Sequence, residues 1–320
     1  MNPFQKRIWP WMALGVTSLL SCNDSKFKFY LINKLRTPVA QIWIQGTDEK
    51  KPGCENFEGV GVLCQQFPLR PTSKMFLSFI VLSPEGSSAP TIKLDSLKSI
   101  GSSLSSSLSS GTSATGLETD VPLSQFGLEN TPFAPLTKNI QTGPIRIDRV
   151  TFALETPSAD IILNQAAAGG FPNFVLRYTS TSDAFSDNGL LSLQVFPEPQ
   201  DPIWESISNL ALSRGIPQEF IEKWRRDAIT NTPPKLERVD PAEVVALGKD
   251  TDIEVYHTTQ DQDPNAKKRV QWFFTQGEIL NEHSSKTKFK AKEGGMVGGF
   301  VMVRDLQGGV DFKAFKWTAQ

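Results

Sequence analysis

Histidine is scarce in this chain and cysteine nearly so: 320 residues carry two and three of them respectively. That leaves little material for a structural zinc site, which draws on four such ligands. No run of 18 apolar residues occurs, so no helix long enough to cross a bilayer is encoded. An excess of one charge is also missing. Thirty-three basic against 34 acidic side chains give a net charge of -1, which argues against a binder that works by neutralising phosphate. What the chain does have is length for one large or several smaller packed domains, with 39% hydrophobic residues to fill them.

The first residues read as an address. Lys6 and Arg7 form a basic start, and Trp9 to Leu20 is mostly apolar, too short for a span but suited to the core of a signal peptide. The stretch closes on Leu19, Leu20, Ser21 and Cys22. This resembles the bacterial lipobox, in which a small residue precedes the cysteine that receives a lipid. The resemblance implies cleavage after residue 21, a lipid on Cys22 and a membrane partner reached through that lipid. By the sorting pattern of such lipoproteins, Asn23 in place of Asp directs the protein to the outer membrane of a bacterial envelope. Loss of residues 1–21 removes two basic groups and no acidic one, leaving a net charge of -3. Cys54 and Cys64 then remain as an even pair, read as a disulfide in an oxidising compartment. Such a closed loop contributes about 3 kcal/mol in the chain-entropy model.

Along the rest of the chain the expected class is mainly β. Residues 22–200 form an N-terminal β-sandwich-like domain, with strands expected near 26–32, 39–44, 75–82, 145–152, 174–178 and 190–196. These runs alternate or are continuously apolar, and glycine, proline and asparagine turns separate them, including Pro84 to Gly86, Gly169-Gly170 and Asp187 to Gly189. Residues 95–120, holding the serine-rich run from Gly101 to Gly111, are expected to form a surface loop. Residues 201–234 read as a helical hairpin linker. Asp201 and Pro202 start the first helix, whose apolar face is Ile203, Trp204, Ile207, Leu210 and Ala211. The second follows Pro217 and places Phe220, Ile221, Trp224 and Ala228 on one face. Ala211, Gly215 and Ile221 mimic the spacing of a DNA-binding helical pair, but an exported chain does not meet the chromosome, so no nucleic acid partner is expected.

Residues 235–320 resemble a bacterial immunoglobulin-like or PKD-like β-sandwich. The likeness rests on Gly248 to Val255, on Val270 to Gly277 with Trp272 in the core position, and on Phe300 to Gly309 as the last hairpin. The inter-sheet cysteine pair and the tyrosine corner of antibody domains are absent. The resemblance implies an interaction or spacer role, with this domain at the partner-facing end.

Chemistry-bearing groups are sparse. His257 and His283 match neither a metalloprotease helix nor a nucleophilic triad, and no catalytic residue or cofactor is assigned. Asp261 and Asp263 open like a calcium loop, but Ala266 and Trp272 stand where an EF-hand needs glycine and glutamate. A looser calcium site would add Asp305. Lys286, Lys288, Lys290 and Lys292 alternate, so a strand places them on one face, to bind a polyanion or to guard a sheet edge. The expected function is a non-enzymatic binding, adhesion or scaffold lipoprotein of the envelope, with an envelope protein or a glycan as partner. The alternatives are a carbohydrate-active enzyme or glycan-binding protein using a cleft in the N-terminal domain, and a subunit of an envelope assembly complex.

Overall fold

A computed structural model describes residues 30–320 except 52, 58–59, 72–73, 101–117, 129–135, 142, 156–158, 168–172, 184, 230–231, 259–267 and 306–307. Cys22, Asp261, Asp263 and the Gly169-Gly170 turn lie outside the described residues. The chain is mainly β, as expected. Its first part contains β1 (Arg36–Gln45), β2 (Cys54–Phe57), β3 (Gly61–Gln65), β4 (Lys74–Pro84), β5 (Thr91–Ile100), β6 (Glu118–Val121), β7 (Leu136–Gln141), β8 (Ile145–Glu155), helix α1 (Ala159–Ala167), β9 (Asn173–Ser182), β10 (Phe185–Gln194), and helices α2 (Ile203–Ser213) and α3 (Gln218–Asp227). Its second part contains β11 (Lys235–Asp240), β12 (Val244–Val245), β13 (Asp250–Thr258), β14 (Lys268–Phe274), β15 (Glu278–Ile279), β16 (Lys286–Lys290), β17 (Gly295–Asp305) and β18 (Val310–Ala319).

A six-stranded sheet in the order β2-β3-β1-β4-β8-β7 faces a four-stranded sheet in the order β10-β9-β5-β6. Strand β4 is central and buried on both faces, which explains its unbroken run Met75-Phe-Leu-Ser-Phe-Ile-Val-Leu82. Ile42, Met75, Leu77, Phe79, Val150, Phe152 and Leu154 of the first sheet pack on Ile92, Leu97, Phe174, Leu176, Tyr178 and Leu193 of the second. In β1, the register shifts between Arg36 and Val39, a bulge containing Pro38, which has no N–H to give a ladder.

Three sequence expectations are corrected here. Asp187, Asn188 and Gly189 do not turn the chain: they lie inside β10, opposite Ser180, Thr179 and Tyr178. A Cβ on Gly189 would collide with the Tyr178 ring, so the glycine exists to let that ring lie across the strand. The serine-rich segment is narrower than 95–120, because residues 95–100 belong to β5 and Glu118–Val121 pair with them, Leu97 opposite Val121. The helices at 201–234 are also more than a linker. Trp204, Ile207 and Ala228 are buried in the core of the N-terminal sandwich. Arg70 fastens them, donating from Nη1 to Phe196 O (3.1 Å) and Pro197 O (2.9 Å) and from Nη2 to Ala228 O (2.7 Å). Asp201 Oδ1 accepts from Ile203 N at 3.0 Å, the cap its position suggested.

The C-terminal part is a sandwich of two four-stranded sheets, β11-β13-β16-β15 and β12-β18-β17-β14. Trp272, Phe274, Phe289 and Trp317 fill its centre. Both indoles are satisfied: Trp272 Nε1 donates to Ser284 O at 2.8 Å and Trp317 Nε1 to Pro241 O at 2.7 Å.

The two sandwiches are fused. Val39, Ile80, Leu82, Ile145 and Ile147, on the outer face of the six-stranded sheet, share an apolar cluster with Phe273, Phe300 and Met302. A Cβ on Gly298 would stand 2.8 Å from Ile145, so β17 approaches the N-terminal sandwich as closely as a bare backbone allows. The first described residues staple this junction. Ile32 N donates to Phe274 O and Phe274 N to Tyr30 O, both at 2.7 Å, adding a short parallel strand to β14. Tyr30 is buried in the C-terminal core, Ile32 in the junction and Leu35 in the N-terminal core. Three cores are thus reached within six residues.

Candidate functional site

The outer face of the six-stranded sheet is divided by what covers it. One end carries the C-terminal sandwich. At the other end the β2–β3 hairpin folds over the face, holding Trp43, Phe57 and Leu63 in a small cluster of their own. The disulfide joins Cys54 to Cys64, residues directly opposite in this hairpin, and so staples it. Between the hairpin and β7 lies a groove of about 240 Å³. Its floor is Arg149 and Thr151 of β8. Glu55, Asn56, Phe57 and Val60 form one wall, and Lys138, Asn139 and Ile140 the other.

Arg149 organises the groove. Its Nη1 lies 2.7 Å from Glu55 Oε2, and the guanidinium sits 4.5 Å from the Phe57 ring centroid and 5.7 Å from that of Trp43. Stacking on a ring contributes about 0.5–2 kcal/mol, more when water is excluded, and the Arg149 side chain is 12% exposed. The ion pair spans from the floor to the hairpin wall and fixes the hairpin's position. Asn139 is held in turn, its Nδ2 donating to Asp148 Oδ1 at 3.2 Å. Among the described residues Glu55 is the one carboxylate lining the groove, and it is already engaged by Arg149. Among the described residues, two facing carboxylates, which glycoside hydrolysis uses, are not gathered there. The volume falls below the ~300–1,000 Å³ typical of small-molecule pockets, so the groove suits one unit of a longer ligand.

None of these groove residues stands out in the sequence; of the hairpin, only Cys54 and Cys64 do. A signal existed. In Ile145-Arg-Ile-Asp-Arg-Val-Thr-Phe152 the outer-face series is Ile145, Ile147, Arg149 and Thr151. A cation and a hydroxyl continuing an apolar series mark where the cover changes.

The residues that were singled out fall elsewhere. Lys286, Lys288 and Lys290 do share an exposed face of β16, with Thr287 and Phe289 turned inward. The strand is not an edge, since β13 and β15 flank it. Each lysine faces an acid across the ladder: Lys286 opposite Glu254, Lys288 opposite Asp252 and Lys290 opposite Asp250. Lys286 Nζ reaches Glu254 at 3.4 Å, and Lys292 Nζ reaches Glu278 at 2.9 Å. Opposed unlike charges support a sheet by about 0.2–1 kcal/mol a pair, and this face is charge-balanced rather than cationic. Asp305 is buried, and its Oδ1 accepts from Gly309 N at 2.8 Å, closing the β17–β18 turn. Gly308 in that turn takes a positive φ of 99° and lies against Phe67, a second contact between the sandwiches. Among the described residues no cluster of three metal-ligating side chains occurs. His257 sits half-buried on β13, where burial first, and the charge of Lys268 second, push its pKa below the ordinary histidine value. His283 is on a loop, its Nδ1 3.4 Å from Val270 O.

No family model and no curated protein matches this chain. Solved structures with some likeness include the N-terminal Ig1-2 module of the Drosophila receptor protein tyrosine phosphatase DLAR, at 10% identity over 88% of this chain and 98% of that one, with a TM-score of 0.24. Fibronectin(III)-like modules of Clostridium thermocellum CbhA give 8% identity over 79% and 88%, with a TM-score of 0.25. The Yersinia pseudotuberculosis adhesin InvE gives 8% over 79% and 57%, with a TM-score of 0.19. At such scores the likenesses carry no functional weight, and the fold class rests on the chain's own sheets.

Proposed function

We propose that this chain is a bacterial envelope lipoprotein, anchored through a lipid on Cys22 in the outer membrane, that acts by binding rather than catalysis. The observation that supports binding is the groove beneath the β2–β3 hairpin. It offers an aromatic wall, amide and hydroxyl groups, and a carboxylate already neutralised by Arg149. The same mixture favours one unit of a glycan or of an extended peptide over a reacting substrate.

Anchoring also limits how far one part can stand from the membrane. Seven residues lie between Cys22 and Tyr30, a reach of at most about 28 Å, and Tyr30 is bonded to β14. On this reading the anchor holds the β14 side of the C-terminal sandwich within that distance of the membrane. Chain order alone would place that sandwich farthest from it. Metabolic labelling with a fatty acid, compared between the parent chain and Cys22→Ser, tests the anchor. Label on the parent alone, with the variant released from membranes, is expected. Crosslinking in intact cells then tests the binding role. Recovery of one stoichiometric envelope partner, lost in Phe57→Ala, supports it. Measurable glycan turnover without any partner would overturn it.

A further inference from the structure

Sheet edges expose unpaired N–H and C=O groups, and proteins usually shorten, charge or cover them. Most edges here are managed in that way. Strands β2 and β6 have four residues each, and β12 and β15 have two. Strand β7 carries Lys138 and a register shift between Asn139 and Gln141. Strand β11 is shifted and bears Lys235, Glu237, Arg238 and Asp240. The strap at Tyr30–Ile32 covers the end of β14.

Strand β10 is the exception. It pairs with β9 over ten consecutive positions without a shift, and it contains no lysine, arginine or proline. Gln194 O accepts from Leu69 N, which shows that the main chain of Gln194 points away from β9. Strand alternation then turns the main chain of Ser186, Asn188, Leu190 and Ser192 outward as well. Among the described residues none bonds to those main-chain groups. The side chains of these same four residues are exposed on the outer face of the sheet, Leu190 by 65%.

We infer that β10 pairs antiparallel with β10 of a second copy of this chain, about a two-fold axis through Leu190. In that register Leu190 lies directly opposite its own copy, and Asn188 lies opposite Ser192. About six main-chain hydrogen bonds form, and the exposed leucines cover each other. The charge pattern permits it, because the lone charge of the strand, Asp187, faces Leu193 of the copy and not Asp187. Gln194 keeps its bond to Leu69, so the new pairing ends at Asn188 opposite Ser192 and leaves Ser186 of the copy unpaired. The two four-stranded sheets become one continuous sheet, closed by an isologous contact.

The test uses the full chain carrying Cys22→Ser and Leu190→Cys. With Cys54 and Cys64 bridged, the introduced thiol is then the single free one. Opposed residues at ~5.5 Å between Cα atoms lie within disulfide reach. Under mild oxidation a dimer band on a non-reducing gel is expected, formed at least about tenfold faster than for Leu212→Cys, a control on the exposed side of α2. Adding Ser192→Pro, whose N–H points away from β9, abolishes the band while the unfolding midpoint holds. If that proline also lowers the midpoint, sedimentation of Leu190→Lys against the parent decides, with a monomer and a dimer expected. Equal crosslinking rates for Leu190→Cys and Leu212→Cys, or a monomeric parent, would overturn the inference. So would crosslinking of Leu190→Cys in cells to a different protein in place of itself, which would give the edge to a foreign strand.

Discussion

Replacing Ile32 by alanine probes whether the strap joins the two sandwiches into one cooperative body. Ile32 is 2% exposed and sits in the cluster that contains Val39, Ile80 and Ile147 on one side and Phe273, Phe300 and Met302 on the other. Truncating such a side chain costs about 2–5 kcal/mol, the lost transfer energy plus the cavity left behind. A folded protein has only ~5–15 kcal/mol to lose, so the change is large. The flanking main-chain bonds of Tyr30 and Ile32 to Phe274 remain, which confines the effect to packing. Urea unfolding followed by tryptophan fluorescence reads both bodies at once, since Trp43 and Trp204 lie in the N-terminal sandwich and Trp272 and Trp317 in the C-terminal one. The parent is expected to unfold in one transition. Ile32→Ala shifts its midpoint down, and Ile32→Asp, which places a charge in the junction, splits it into two. Leu280→Ala is the control: that side chain is 78% exposed, and its loss changes stability by less than about 0.5 kcal/mol. Equal effects of Ile32→Ala and Leu280→Ala would refute the reasoning, because the strap would then be a passenger on two independent domains.

Three further outcomes are expected. Gly189→Val costs about 1–3 kcal/mol through overpacking against Tyr178, and most of that loss disappears in a Tyr178→Ala background; additive effects in the double-mutant cycle would sink the idea. Burial, and then the charge of Asp187, push the Tyr178 hydroxyl up to about 12. In an alkaline ultraviolet titration one of the three tyrosines therefore ionises late, a step missing in Tyr178→Phe, and the stability held by the neutral phenol is lost as pH rises from about 10 toward 12. His257 has its folded pKa depressed by burial and by Lys268, with Glu237 opposing. Its neutral ring contributes stability that is whole above ~6.5 and lost as pH falls through the folded value. His257→Gln should flatten the stability profile in that acid window, and an unchanged slope would count against it.

Local signals served well where one residue pattern leads to one structure. The alternation in 251–258, 269–275 and 286–291 found β13, β14 and β16, and the proline and aspartate before Ile203 found the start of α2. Trp272 was correctly placed in the C-terminal core. The failures have physical causes. The sequence from Asp187 to Gly189 has turn chemistry, but here the glycine answers a neighbouring ring, information that resides in β9. Helix α1 and strands β2, β3, β5, β6 and β7 are short or weakly patterned, and pairing rather than propensity holds them. The lysine row was legible as a row. That Asp250, Asp252 and Glu254 stand opposite it depends on register between strands about 36 residues apart, which no local window contains.

By itself the amino-acid order determined the class of fold, the two β regions with helices between them and the cysteine pair. These follow from side-chain periodicity, turn residues and composition, all of which act over a few neighbouring positions. Tertiary structure alone decided that the helices belong to a core, that Tyr30, Ile32 and Leu35 bind two sandwiches together, and that Arg149 meets Glu55 beneath a folded-back hairpin. Those facts depend on which distant surfaces bury one another, because the free energy of apolar contact is set by the partner's shape and not by the order of residues along either strand.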